Sequence, residues 1–342
     1  MRTVSAIASP LRRLPTSLAG RSSQRYFSSS RNLQATWGFI GLGRMGYPMA
    51  KNLRAKIPAE DTLFIHDVNT AATKKFLEEN PQGVRIAANV REVAEKAETI
   101  VTSLPEPQHV KGVYKEMLEP ATLRKDGFVQ TERLFIDCST IDPMTSGEVA
   151  EIAHSTGQGK FIDAPMSGGV VGAQAGTLTF MIGAPVEAVE HATAVLSLMG
   201  RRVLHLGEQG SGLKGKLANN YLLALNNVAT AEAMSMGIKW GLDPKALAGM
   251  INISTGKCWP SEVNNPVPGV IEGSPASRGY EGGFGVALAN KDLKLALKAC
   301  AEADVKLALG ESARQVYDAA EKDEKCKGKD FSVIYRYLGG KE

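Results

Sequence analysis

"GFIGLGRMGYPMAKNL", residues 38–53, is the stretch on which the fold turns. Gly41, Gly43 and Gly46 stand in the G-x-G-x-x-G spacing, directly after an apolar β-type run and at the opening of a helical pattern. In that context the first glycine permits a tight turn. The second lets backbone approach a pyrophosphate, and the third lets helix pack on strand. The helix N-terminus then offers free N–H groups and the positive end of a dipole. A dinucleotide-binding loop is expected here, with Leu42 and Met45 among its contacts.

Further along, "FIHDVN" places Asp67 21 residues beyond Gly46. A carboxylate at the end of the second strand accepts hydrogen bonds from ribose hydroxyls and repels a 2′-phosphate. Val68 follows it, where Arg or Lys would argue for the phosphorylated cofactor, so NAD is expected over NADP. The alternative role for Asp67 is a cap on the next helix, which Asn69 is also able to supply.

From Thr36 to about Gly207, short apolar runs alternate with helical patterns, as in "TLFIHD" (62–67), "TIVTSL" (99–104), "LFIDCS" (134–139), "KFIDAP" (160–165) and "TLTFMIG" (177–183). Such alternation makes a mainly parallel sheet covered on both faces. The expectation is α/β: a doubly wound Rossmann-type domain over 35–207. Strand signals stop there. Residues 212–240 read as a single helix of roughly 40 Å, apolar nearly all round and therefore expected to be buried. Helices are expected at 245–253, capped by Asp243-Pro244, and at 286–303, 306–323 and 330–338, giving an all-helical substrate and oligomerisation domain over 208–342, joined to the first by the long helix.

Hydrophobic residues at 43% and charged residues at 22% describe a globular chain, and no apolar run is long enough to span a bilayer. Residues 1–34 carry six arginines, with no lysine and no acid. That is the composition of a mitochondrial transit peptide; a basic arm for nucleic acid or membrane is the plainer alternative. Without those six charges the formal charge falls from +4 to −2, which gives no electrostatic case for nucleic acid. The four scattered cysteines suggest a reducing compartment, with neither a disulfide framework nor a metal site.

Two sets of residues suggest chemistry. "DAPMSGG" (163–169) puts Ser167, Gly168 and Gly169 beyond a strand end, where a hydroxyl and close backbone N–H groups suit a small carboxylate; the alternative is a flexible turn. "GSGLKGKLANN" (210–220) puts Lys216 and Asn220 one turn apart on the apolar helix. A lysine whose pKa is lowered by burial and a nearby cation, such as nicotinamide or Lys291, is able to take a hydroxyl proton during oxidation. Snorkelling to the surface, as Lys214 is expected to do, is the competing reading.

With these motifs in hand, the chain resembles the β-hydroxyacid dehydrogenase family from about Trp37 to Leu338. "DCSTIDP" (137–143), "STGKCW" (254–259), "NPVPGV" (265–270) and "GGFGVALANKDL" (282–293) extend the likeness. The resemblance implies an enzyme oxidising (S)-3-hydroxyisobutyrate to methylmalonate semialdehyde with NAD, a step of valine breakdown in the mitochondrial matrix. It implies Lys216 as general base with Asn220 beside it, and Ser167–Gly169 as the carboxylate site. Leu104, Pro105, Thr140 and Lys291 would be cofactor contacts, with Phe284 beside the nicotinamide. Reduction of tartronate, glyoxylate or succinate semialdehyde, or non-catalytic NAD binding, are the rival activities. A homodimer or homotetramer is expected. Lys214 and "PEPQH" (105–109) depart from the family pattern, and His109 stands near a position the family fills with asparagine.

Overall fold

The computed structural model describes residues 34–123 and 133–342. The Arg-rich segment expected to be a targeting peptide lies outside the described residues.

The first half alternates as its hydrophobic periodicity requires: β1 (Thr36–Ile40), α1 (Gly46–Lys56), β2 (Thr62–His66), α2 (Thr70–Glu79), β3 (Val84–Ile86), α3 (Val90–Lys96), β4 (Thr99–Thr102), α4 (Pro107–Leu118), β5 (Leu134–Asp137), α5 (Pro143–Ser155) and β6 (Lys160–Asp163). These six strands are parallel, in the order β3-β2-β1-β4-β5-β6. That is the doubly wound order, whose direction reverses between β1 and β4. Phe39, Leu63, Ile65, Val101, Ile136 and Ile162 point to one face, packing with α1, α2 and α7 (Val186–Leu196). Their neighbours Ile40, Ile100, Phe135 and Phe161 point to the other, against α3, α4 and α5. Both faces are thus buried by the two-residue alternation of each strand.

Beyond β6 the sheet departs from the purely parallel pattern. A two-residue strand, β7 (Met166–Ser167), and a short helix, α6 (Gly169–Ala175), precede β8 (Leu178–Gly183), which runs antiparallel to β6 and β7. β9 (Gly200–Gly207) returns parallel to β8 after α7.

The long helix α8 (Ser211–Lys239) follows at once. Its first turn is anchored by Asp163 at the carboxyl end of β6, whose two oxygens accept from Gly210 N (2.5 Å) and Leu213 N (2.8 Å). Gly212 makes the approach possible, since a Cβ there would lie 2.3 Å from the Met181 carbonyl. Burial pushes the Asp163 carboxyl up to about 6, while the two N–H bonds pull it back. A raised folded pKa favours the neutral form, so its contribution to stability is present below pH ~4 and lost as pH rises through about 6. Asp163→Asn removes that titration. Denaturation across this window is expected to show the native chain losing ground to the variant as pH rises, and a pH-independent difference would refute the assignment.

After α8 come α9 (Pro244–Asn252), α10 (Trp259–Glu262), α11 (Val286–Glu302), α12 (Gly310–Lys322) and α13 (Ile334–Tyr337). Asp243 caps α9 through Ala246 N, with Pro244 at the first helical position. Leu293, Tyr317, Phe331 and Tyr335 form a third core with α8, separate from the two that cover the sheet. Three expectations need correction. α12 begins at Gly310 and not at 306, because Asp304 takes a left-handed conformation and Gly310 packs tightly on Leu297. α10 lies between the helices expected at 245–253 and 286–303, where no helix is expected, closed by a capping box between Cys258 and Ser261. And α8 is not buried all round: Leu222 and Met236 are about half exposed, because the sheet and α11 cover only part of its circumference.

Candidate active site

Residues beyond the carboxyl ends of the strands converge, as open α/β sheets require. Gly41, at φ 97°, turns the chain after β1, and a Cβ there would lie 2.3 Å from the Ser103 carbonyl. Gly46 packs so closely that its Cβ would fall 1.9 Å from the Gly41 carbonyl. Gly43 is different, with nothing within 4 Å of where a Cβ would stand. The loop thus presents an open cradle at Gly43. Met45, the N-cap of α1, supplies no side-chain hydrogen bond; Tyr47 N donates to the Gly43 carbonyl and Pro48 has no N–H, so the N–H of Gly46 is the one the first turn leaves for an anion.

Asp67 stands beside this cradle. Its carboxylate accepts from Leu42 N (2.5 Å) and Asn69 N (2.6 Å), tying the glycine loop to the end of β2. Asn69 itself caps α2 by accepting from Ala71 N and Ala72 N, so Asp67 is not needed as a helix cap. An open glycine cradle, an uncapped helix end and a half-buried carboxylate fit a dinucleotide.

On the other side of the switch point, β4 and β5 are locked at their ends. Thr102 Oγ1 (2.7 Å) and Ser139 Oγ (2.6 Å) both donate to the buried Asp137. Ser139 Oγ accepts from Leu104 N (2.8 Å), which fixes Leu104 against Gly41. Lys291, reaching from α11, donates to the Pro105 carbonyl (3.1 Å) and the Thr140 carbonyl (2.8 Å). The helical half is therefore fastened onto the loops after β4 and β5.

Next to Lys291 the polar groups are buried. Asp292 lies 3.6 Å from its ammonium and accepts from Asn220 Nδ2 at 2.7 Å. Lys216, Asn220 and Asp292 are only 7%, 5% and 4% exposed. Burial lowers the Lys216 pKa from the ordinary lysine value; Asp292 opposes that shift and Lys291 reinforces it. Among the described residues no hydrogen bond holds the Lys216 ammonium. Lys216 thus does not snorkel, whereas Lys214, two residues earlier, is exposed.

Ser167, Gly168 and Gly169 form the turn from β7 into α6, Gly168 and Gly169 both at positive φ. Gly169 faces open space, and among the described residues no hydrogen bond links this turn to the Lys216 group. Phe284 precedes α11; Asp330 holds its N–H at 2.7 Å, and its ring meets Phe331 edge-on. His109 is exposed on α4.

Residues 36–207 match the family model described as the NAD binding domain of 6-phosphogluconate dehydrogenase, and residues 210–338 that described as NAD-binding of NADP-dependent 3-hydroxyisobutyrate dehydrogenase. The mitochondrial 3-hydroxyisobutyrate dehydrogenase of Rattus norvegicus is 44% identical over 305 residues, 89% of this chain and 87% of that protein. The chain belongs to the 3-hydroxyisobutyrate dehydrogenase family. The Pseudomonas aeruginosa 3-hydroxyisobutyrate dehydrogenase is 41% identical over 308 residues, covering 89% of this chain and 98% of that one. The solved structure of the Mycobacterium tuberculosis enzyme with L-serine is 34% identical, with a TM-score of 0.81 over 90% of this chain and 99% of that chain. NAD is the cofactor of this dehydrogenase fold.

Within this family site the sequence reading missed Asp292, Asp163, Asp137 and Asp330. Each is a buried carboxylate that works through another residue. The adjacent charges of "NKDL" on a helix that must pack were the signal for Asp292.

Proposed function

We infer that this chain oxidises (S)-3-hydroxyisobutyrate to methylmalonate semialdehyde with NAD. The observation that carries the reading is Lys216: a buried ammonium without a hydrogen bond among the described residues, one helical turn from Asn220 and under the influence of Asp292. In its neutral form Lys216 takes the hydroxyl proton, and as ammonium it returns the proton in the reverse direction. Asn220, held by Asp292, directs its amide at the reacting oxygen, where negative charge grows as the C–H bond breaks. Ser167, Gly168 and Gly169 hold the substrate carboxylate through the hydroxyl and first-turn N–H groups of α6. Bound NAD supplies the hydride acceptor. Gly41, Leu42, Gly43, Met45 and Gly46 would cradle its pyrophosphate, Asp67 would hold its ribose, and Leu104, Pro105, Thr140 and Lys291 would be further cofactor contacts, with Phe284 beside the nicotinamide.

The proposed division at about residue 208 rests on the separate cores of the sheet and of the helical half. The incompletely covered side of α8 supports assembly as a homodimer or homotetramer, which sedimentation would measure. The mitochondrial matrix is the proposed compartment, supported by the composition of residues 1–34 and by mitochondrial relatives.

The test is the initial rate of cofactor reduction with (S)-3-hydroxyisobutyrate, with NAD and NADP in parallel and the three rival semialdehyde and glyoxylate reductions as controls. Activity is expected with 3-hydroxyisobutyrate and NAD. Asp67→Ala should lower kcat/KM for NAD by about tenfold or more and raise the relative use of NADP, because the carboxylate that repels a 2′-phosphate is gone. Faster turnover of another substrate would displace the substrate assignment. Native-like NAD preference in Asp67→Ala would displace the ribose assignment.

A further inference from the structure

We propose that Asp292 is the positioning residue of this site, one carboxylate that holds the amide of Asn220 and ties it to the cofactor-side loops through Lys291. The inference rests on Lys216 and Asn220 being the reacting pair.

The geometry carries it. Asp292 uses Oδ2 to accept from Asn220 Nδ2 at 2.7 Å, and Oδ1 lies 3.6 Å from Lys291 Nζ. A primary amide has two faces of opposite polarity, so fixing its NH₂ on a carboxylate dictates where its carbonyl points. Asn219 Nδ2 donates to that carbonyl at 3.1 Å, which completes the restraint. Asn220 is therefore set by α11 and not only by its own helix. Lys291 carries the same restraint outward, since its ammonium also holds the carbonyls of Pro105 and Thr140 beyond β4 and β5. A carboxylate in this place couples the alignment of Asn220 to the two loops that flank the switch point.

The charges around Lys216 make Asp292 decisive for its proton. Burial and Lys291 disfavour the ammonium, and Asp292 favours it. The other buried acids nearby are engaged elsewhere. Asp163, from β6, is occupied with Gly210 N and Leu213 N. Asp142, at the start of α5, is occupied with Thr145 and Lys298. Lys216 needs a pKa low enough to leave it a base and high enough to make it a useful one. Asp292 sets the upper side of that balance.

The experiment compares the native enzyme, Asp292→Asn, Asp292→Glu and Lys216→Ala by the pH profile of kcat/KM for oxidation, with NAD affinity as the check on folding. Asp292→Asn keeps an acceptor for Asn220 and removes the charge. Without that charge the Lys216 pKa falls, so the acid limb of the profile should move about one pH unit toward acid. The plateau should drop about tenfold as the base weakens. A folded, NAD-binding Asp292→Asn enzyme with its limb at the native pH would overturn the proposal, because a purely structural role moves stability and not the limb. If Asp292→Asn does not fold, Asp292→Glu decides. It keeps the charge and displaces its oxygens by one methylene, so the limb should stay near its native position while KM for the hydroxy acid rises several-fold. An unchanged KM would overturn the proposal. Lys216→Ala separates the two readings: if it retains turnover, the assignment of the reacting pair fails, whatever Asp292 does.

Discussion

Lys216→Ala is expected to lower kcat by about 10²–10⁴-fold, the usual contribution of a positioned general acid–base group, while NAD affinity stays close to native. The reason both halves should hold is local. Lys216 lies in the second turn of α8, where alanine is the better helix former. Its ammonium makes no hydrogen bond among the described residues, so truncation orphans no acceptor. Asp292 retains Asn220 and Lys291 as partners. Removing a buried cation also removes a desolvation cost, so thermal stability should not fall. The glycine loop and Asp67 lie at the ends of β1 and β2, and no hydrogen bond among the described residues links them to Lys216, which is why cofactor affinity should survive. Partial rescue of the variant by small primary amines would locate the lost function in the amine itself. Near-native turnover without rescue would remove Lys216 from the chemistry.

The fold was legible because its main signals are local and periodic. The glycine spacing after β1 fixed the loop, and six β-branched runs separated by helices implied the parallel sheet. What stayed hidden is non-local. "TLTFMIG" reads the same in either direction, so nothing in it announces that β8 runs against β6. β7, with two residues, spans a single period of alternation, too little to read as a pattern. The amphipathic signal of α8 failed in a different way. A helix apolar on several sides reads as buried, yet the sequence does not say which neighbours cover it, and Leu222 and Met236 remain exposed on a single chain.

The site shows the same division. Lys216 and Asn220 were visible because a cation and an amide share one face of an apolar helix. Gly41, Gly43, Gly46 and Asp67 were visible because their spacing is the one a dinucleotide-binding loop requires. Asp292 was not, since its meaning depends on α11 packing across α8, 72 residues away from Asn220 in sequence. Asp137 and Asp163 look like ordinary strand ends until Ser139 and the first turn of α8 are placed on them.

The two outer glycines and the middle one of the cradle should respond in opposite ways, and this contrast bears directly on where the pyrophosphate sits. Gly46→Ala places a methyl 1.9 Å from the Gly41 carbonyl, a clash with backbone that no side-chain rotation relieves. The turn from β1 into α1 must shift, at a cost of about 1–3 kcal/mol, and both stability and NAD affinity should fall. Gly43→Ala meets no protein atom within 4 Å, and its φ is not in the left-handed range, so the folded chain should accept it with little change in melting temperature. Its methyl would instead stand in the space that the phosphates need. NAD affinity should therefore drop by about tenfold to a hundredfold, or about 1.4–2.7 kcal/mol, without loss of stability. Titrating NADH into each variant beside a thermal melt reads the two effects separately. If Gly43→Ala binds NAD as tightly as the native chain, the open space at Gly43 is not where the pyrophosphate lies, and the role assigned to the loop must move toward the N–H of Gly46 at the start of α1.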